Sequence, residues 1–189
     1  MVKIAISGKA NSGKNTVAQF LGTNLCKKGE DFKVLAFADP IKNMIMSMYP
    51  TTNPEILWGP SELRMTKVPG TNITFRQLLT DLGKLGRSYN VNVWIDATIA
   101  MANKYAEDNI KTILSDCRFS NELKAVKKDF FLIRVVRPNN AYGKNIESKD
   151  ISEIDLDGVP DSDFDEVIVN DCSLQELENK IKELVIKRF

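Results

Sequence analysis

An α/β fold is what this sequence predicts: five short parallel strands in one sheet, helices on both faces, and a long helical insertion. Three observations carry that reading. Short apolar runs alternate with amphipathic helical patterns along the 189 residues. The first run opens into a glycine-rich loop, and a helical pattern leaves it. The second and third runs are then separated by a helical stretch from 38 to 110.

The elements follow in order. Val2 to Ile6 reads as the first strand. Val17, Ala18, Leu21 and Leu25 recur at helical spacing behind the loop, with Gly29 as the C-cap. Phe32 to Phe37 reads as the second strand. Asp39-Pro40 reads as N-cap and first position of a helix striped by Ile41, Met44, Ile45 and Met48, and Pro50 stops it. Residues 51–74 read as irregular, with one short helical turn from Asn53-Pro54. Thr74-Phe75-Arg76-Gln77 is a capping-box pattern, and Phe75, Leu78, Leu79 and Leu82 carry that helix to Gly86. Trp94, Thr98, Met101 and Tyr105 line the next helix. Thr112 to Ser115 is the third strand, ending at Asp116. Ser120 caps a helix through Lys128. Phe130 to Val136 is the most apolar strand, ended by Arg137-Pro138. Residues 139–164 are polar, turn-rich and acidic, the pattern of a solvated loop. Val167 to Val169 is the fifth strand. Ser173-Leu174-Gln175-Glu176 caps a last helix with Leu174, Leu177, Ile181 and Leu184 facing inward. Strands this short and apolar, alternating with helices, imply a parallel sheet buried on both faces.

The bulk numbers narrow the function classes. The length fits a single domain with inserted flaps. A net charge of +1 gives no electrostatic case for a nucleic-acid polymer or an acidic membrane. No apolar run reaches the ~20 residues that span a bilayer, and no signal-peptide pattern precedes the first strand. Cys26, Cys117 and Cys172 stand far apart in no metal spacing, and the chain has no histidine. Zinc sites and histidine acid–base chemistry are therefore not expected, and the cysteines read as reduced thiols of a cytoplasmic protein.

Chemistry concentrates in Gly8-Lys9-Ala10-Asn11-Ser12-Gly13-Lys14-Asn15-Thr16, a G-x-x-x-x-G-K pattern between strand and helix. Gly8 and Gly13 let the backbone curl so that successive N–H groups face anionic oxygens. The helix behind presents its positive end at the same place, and Lys14 adds a mobile point charge. The pattern is that of the P-loop NTPase fold and names a nucleotide polyphosphate as ligand. Asn15 stands where most such loops carry the Ser or Thr that meets Mg²⁺. The 38–110 insertion holds Lys42, Arg64, Lys67, Arg76, Lys84 and Arg87, cations suited to a second phosphate-bearing molecule. In an open α/β sheet ligands sit at the carboxyl ends of the strands.

An ordered set of segments extends this. They are the loop itself; Phe37-Ala38-Asp39-Pro40-Ile41-Lys42; Leu57-Trp58-Gly59-Pro60-Ser61-Glu62-Leu63-Arg64; and Arg76-Gln77-Leu78-Leu79 with Gly86-Arg87. Val93-Trp94-Ile95, Ser115-Asp116-Cys117-Arg118-Phe119-Ser120-Asn121-Glu122, Ile133-Arg134-Val135-Val136-Arg137-Pro138, Ile151-Ser152-Glu153 and Val169-Asn170-Asp171 follow. Together they resemble the bacteriophage deoxynucleoside monophosphate kinases, in which an Asp or Asn after the loop lysine is typical. The resemblance implies an enzyme that moves the γ-phosphate of ATP, with Mg²⁺, to a deoxynucleoside 5′-monophosphate, giving the diphosphate. It implies a location in the cytoplasm of an infected host cell and leaves a homodimer open.

Carried over by position, Gly8, Lys9, Asn11, Ser12, Gly13, Lys14, Asn15 and Thr16 would hold ATP. Arg137 and Asn170 would lie on the same side, with Asn170-Asp171 bordering adenine. Asp116 would act on Mg²⁺ together with Asn15. Lys14, Asp116 and Arg118 would be catalytic, Arg118 as a clamp on the moving phosphate. Lys42, Arg64, Arg76, Arg87, Asn121 and Glu122 would lie on the monophosphate side, with Trp94 as a base-side wall. Residues 139–153 would form a short lid. Ala10 and Asn11 stand where the family often has basic residues, which passes part of the clamp to Lys9.

Two other readings compete. A kinase of another phosphorylated small molecule, of the phosphomevalonate or dephospho-coenzyme A type, lacks support from the Trp58-Gly59-Pro60 and Arg76-Gln77-Leu78-Leu79 segments. A non-catalytic nucleotide-binding module would need no cationic insertion beside Asp116 and Arg118.

Overall fold

A computed structural model describes residues 1–27, 30–138 and 154–189. The expected Gly29 cap and the expected lid at 139–153 lie outside the described residues. Five strands form one sheet, all pairs parallel: β1 (Lys3–Ser7), β2 (Phe32–Leu35), β3 (Lys111–Cys117), β4 (Phe131–Val136) and β5 (Glu166–Val169). Their spatial order is β2-β3-β1-β4-β5, which puts β1 at the centre. The helices are α1 (Lys14–Leu25), α2 (Asp39–Met48), α3 (Glu55–Trp58), α4 (Phe75–Tyr89), α5 (Val93–Glu107), α6 (Ser120–Val126) and α7 (Leu174–Arg188). No helix among the described residues is long and apolar enough to cross a membrane.

The chain divides into two compact units. The first comprises Met1–Ala36 and Ile99–Phe189 and holds the sheet. One face of that sheet sends Ile4, Ile6, Ile113, Ile133, Val135 and Ile168 into a core completed by α1 and α7. Val17, Ala18 and Leu21 come from α1, and Leu177, Ile181 and Leu184 from α7. Each such buried aliphatic side chain contributes about 1.5–3 kcal/mol. Alternation puts Ala5, Leu114 and Leu132 on the opposite face, where they are buried too. That double burial is why these strands read as continuous apolar runs rather than alternating ones. Ser173 starts α7 with a reciprocal cap: its hydroxyl accepts from the Glu176 N–H, and the Glu176 carboxylate accepts from the Ser173 N–H at 2.9 Å.

The second unit is Phe37–Thr98. Its own small core is Ile41, Ile45, Leu57, Val68 and Phe75, with Leu78, Leu79, Leu82 and Trp94 packed against it. Thr74 caps α4 by accepting from the Gln77 N–H, while the Gln77 side chain turns outward to Asp81.

Several boundaries depart from the sequence expectation. Strand β2 stops at Leu35, and α2 starts at Asp39 itself, with Ala38 as N-cap. Met44 and Met48 face solvent rather than the core, as does Leu174. Helical spacing alone cannot say how wide the buried stripe is, and in α2 it is only Ile41 and Ile45 wide. Helix α4 runs past Gly86 to Tyr89, and α6 ends at Val126. Residues 51–74 hold both α3 and a 3₁₀ turn, Ser61–Met65.

Candidate functional site

Between β1 and β4 the direction of the chain's travel reverses. From β1 it leaves toward β2 on one side, and from β4 toward β5 on the other. Such a switch point opens a crevice at the carboxyl ends of the strands. A cleft of about 350 Å³ lies there, lined by Ser7, Gly8, Lys9 and Ser12 from one strand end and Arg134, Val135, Val136 and Arg137 from the other. Arg118, Leu156, Asp157 and Asp161 complete its wall.

The loop from β1 to α1 forms one side of this cleft. Gly8, Asn11 and Gly13 take φ of 149°, 57° and 98°. Two of these are glycines because the space is as restrictive as the torsion. A Cβ on Gly8 would run into the Val135 carbonyl oxygen, and one on Gly13 into the Asn170 amide. Lys14 begins α1 and folds back over the loop: its ammonium donates to the Gly8 and Lys9 carbonyls at 2.7 and 2.6 Å. Lys14 is thus only 6 % exposed. The Ser12 hydroxyl is buried in the loop and, among the described residues, has no hydrogen-bond partner. Asn15 is exposed and Thr16 half-buried on the first turn of α1. No side chain caps that turn at Gly13.

Two of the residues expected on the same side brace the loop from outside. The Asn170 amide donates to the Ser12 carbonyl at 2.8 Å, and the Arg137 guanidinium reaches the Asn11 carbonyl at 3.5 Å. The Asn170 backbone N–H bonds the Val136 carbonyl at 2.8 Å, which fixes it beside the end of β4. Lys9 pairs with Asp157 at 2.9 Å, with both side chains about half exposed. A pair so exposed is worth at most about 1 kcal/mol.

Asp116 lies near the end of β3, and Arg118 follows it into the cleft wall. Glu122 is 8 % exposed, and its carboxylate accepts the N–H groups of Arg118 and Phe119 at 2.8 and 3.0 Å. It therefore caps α6 and pins the backbone that carries Arg118. Burial pushes its pKa up to about 7, against the pull of those two N–H bonds and with the help of the Asp116 charge. Asn121 sits beside it on the first turn of α6.

Sequence reading missed Arg134, Leu156, Asp157 and Asp161. Arg134 had a legible signal, a lone cation inside the apolar run Phe130–Val136. Its guanidinium holds the Leu156 and Val159 carbonyls at 3.0 and 2.8 Å and the Asp161 carboxylate at 2.7 Å, stacked 4.2 Å from the Phe164 ring. It fastens residues 156–161 to the edge of the cleft.

The second unit collects Lys42, Arg64, Arg76, Arg87 and Trp94. Lys42 pairs with Asp39 at 3.1 Å, both nearly buried. Arg64 donates to the Leu57 and Gly59 carbonyls at 3.3 and 3.5 Å, and Arg76 to the Ser61 carbonyl at 3.1 Å. Burial lowers the Arg64 pKa, and the Arg76 charge lowers it further. The Glu62 charge acts the other way, and an arginine keeps its proton regardless. Arg87 is exposed, with its guanidinium by Gly83. Trp94 packs inward: its indole N–H donates to the Gly83 carbonyl at 3.1 Å and its ring lies against Gly86.

No protein-family model matches the chain, and none of the curated proteins searched matches it.

Proposed function

We propose that this chain is a P-loop kinase that moves the γ-phosphate of ATP to the 5′-phosphate of a deoxynucleoside monophosphate. One observation carries the reading. A loop at the carboxyl end of the central strand is curled by positive φ at Gly8, Asn11 and Gly13, with the Lys14 ammonium folded over its carbonyls. A loop curled this way can offer successive N–H groups to a ligand oxygen, and Gly8, Lys9 and Ser12 line the cleft. A phosphate chain fits those donors, and the cleft of about 350 Å³ beside them is the size of a small-molecule site.

Phosphoryl transfer asks mainly for positioning and charge neutralisation. Lys14 and Lys9 supply cations on the ATP side, and Arg118 supplies a bidentate fork in the cleft. Arg64 and Arg76, close enough to feel each other's charge, are suited to the acceptor phosphate. Among the described residues no three His, Cys, Asp or Glu side chains gather as an all-protein metal cage. That donor set fits Mg²⁺, which keeps waters and phosphate oxygens and takes one or two protein groups, here Asp116 and Asn15. When bound, Mg²⁺ would neutralise phosphate charge.

The test is an assay of every deoxynucleoside and ribonucleoside monophosphate with ATP and Mg²⁺, for the parent chain and Lys14→Met. Methionine keeps the buried stem and removes the ammonium. Turnover of deoxynucleoside monophosphates, reduced at least a hundredfold in Lys14→Met, is expected. Absence of turnover with every acceptor, or a folded Lys14→Met of normal rate, would refute the proposal.

A further inference from the structure

The second tryptophan, Trp58, presents its ring where Trp94 does not. It ends α3 and is 42 % exposed. An exposed tryptophan usually has freedom to swing, but this one is tied. Its indole N–H donates to the Asp39 carboxylate at 3.0 Å, and the same oxygen accepts the Lys42 ammonium at 3.1 Å. That ammonium lies 5.5 Å from the indole centroid, over one face of the ring. With 42 % of the residue exposed, the ring keeps surface that a flat ligand can meet. The cost of ordering the ring is met by the fold, which is what makes an aromatic surface effective in binding.

The backbone on either side of Trp58 is also where Arg64 is anchored, through the Leu57 and Gly59 carbonyls. The cation pair of Arg64 and Arg76 therefore belongs to the same short stretch as the exposed ring. A molecule with a planar aromatic part and an anionic part matches both features.

We infer that Trp58 is the surface on which the base of the acceptor nucleotide stacks. The inference rests on the acceptor reading above and moves the base-side wall from Trp94 to Trp58. Stacking is tolerant of base identity because every base has a π face. It therefore predicts an acceptor site that admits several bases and binds sugar phosphate alone far less well.

Tryptophan emission and steady-state kinetics test it together. Each of dAMP, dGMP, dCMP and dTMP should quench the parent emission, and deoxyribose 5-phosphate should not. Trp58→Phe should lose the quench and keep the acceptor KM within about threefold, since a ring remains to stack on. Trp58→Ala should raise the acceptor KM roughly ten- to hundredfold, with the KM for ATP unchanged. The inhibition constant of deoxyribose 5-phosphate should not move in either variant. An unchanged acceptor KM in Trp58→Ala would overturn the inference. So would an equal loss for deoxyribose 5-phosphate, which marks a collapsed loop, or an equal loss in Trp58→Phe, which marks the bond to Asp39. Quenching by the four nucleotides without turnover would sustain the stacking site and refute the kinase reading. Turnover that ignores Trp58 would do the reverse.

Discussion

Replacing Gly13 by alanine tests how the loop is held. Gly13 has φ 98°, a torsion that costs an L-residue about 1–2 kcal/mol. The added methyl also runs into the Asn170 amide nitrogen. That atom is the end of a side chain and can turn away, so the overlap itself is cheap. Turning away breaks its 2.8 Å bond to the Ser12 carbonyl, worth about 0.5–1.5 kcal/mol. Gly13→Ala should therefore lose about 1.5–3.5 kcal/mol, and the melting temperature should fall by roughly 5–10 °C for a chain of this size. Asn170→Ala alone should lose only the hydrogen bond. In the double variant the bond is already gone and only the torsional cost remains. Urea unfolding of the four proteins should then show losses that fall short of additivity by about 1 kcal/mol. Additivity to within about 0.3 kcal/mol would refute the claim that Asn170 is what the missing Cβ makes room for. Gly8→Ala should be worse than Gly13→Ala, because its methyl meets the Val135 carbonyl of a neighbouring strand, which cannot rotate away.

Three further outcomes follow from the site. Arg118→Lys should lower kcat more than it raises KM, since a point charge cannot replace a bidentate fork; a change confined to ATP affinity would contradict that role. Asn15→Leu should raise the Mg²⁺ concentration for half-maximal rate while Asn15→Ser stays active, and Thr16→Ala should weaken ATP binding with little change in Mg²⁺ demand; a Mg²⁺ titration at saturating ATP separates them. Glu122 carries a folded-state pKa of about 7, above its ordinary value of 4.5, so the folded chain binds the extra proton between those two values. Stability should fall as pH rises through that window, by up to about 3 kcal/mol, and be lowest above it; Glu122→Gln should flatten the slope, read by urea unfolding at pH 5 and pH 8.

The centre of the sheet was legible because its strands are buried on both faces, so they read as apolar runs such as Ile4–Ile6. Helix caps were legible where the chemistry is local, as in Ser173 and Glu176. What sequence cannot carry is which side of an apolar residue meets a partner. Met44, Met48 and Leu174 keep helical spacing and are still exposed, because among the described residues nothing covers them. The surroundings of the two tryptophans were hidden in the same way: the Trp94 ring lies against Gly86, and the Trp58 indole donates to Asp39. Nothing in the sequence pattern shows that the Glu122 carboxylate accepts two backbone N–H groups, four and three residues before it. Lys14 reads as a mobile charge, and the structure adds that its ammonium donates to two of the loop's own carbonyls. Arg134 was readable as an anomaly, but its three partners lie 22 to 27 residues away.

The central place of β1 has a consequence for how the chain acquires its loop. The strand that launches residues 8–13 is flanked by β3 and β4, which lie more than a hundred residues further along. The Asn170 brace comes later still. A ribosome must therefore deliver nearly the whole chain before the first dozen residues can hold their shape. Such long-range closure slows folding relative to local helix formation. Until then the Gly8–Thr16 segment lacks the neighbours that brace it. Nascent chains stalled before residue 170 should leave it as open to proteases as an unfolded peptide, whereas chains released whole should protect it.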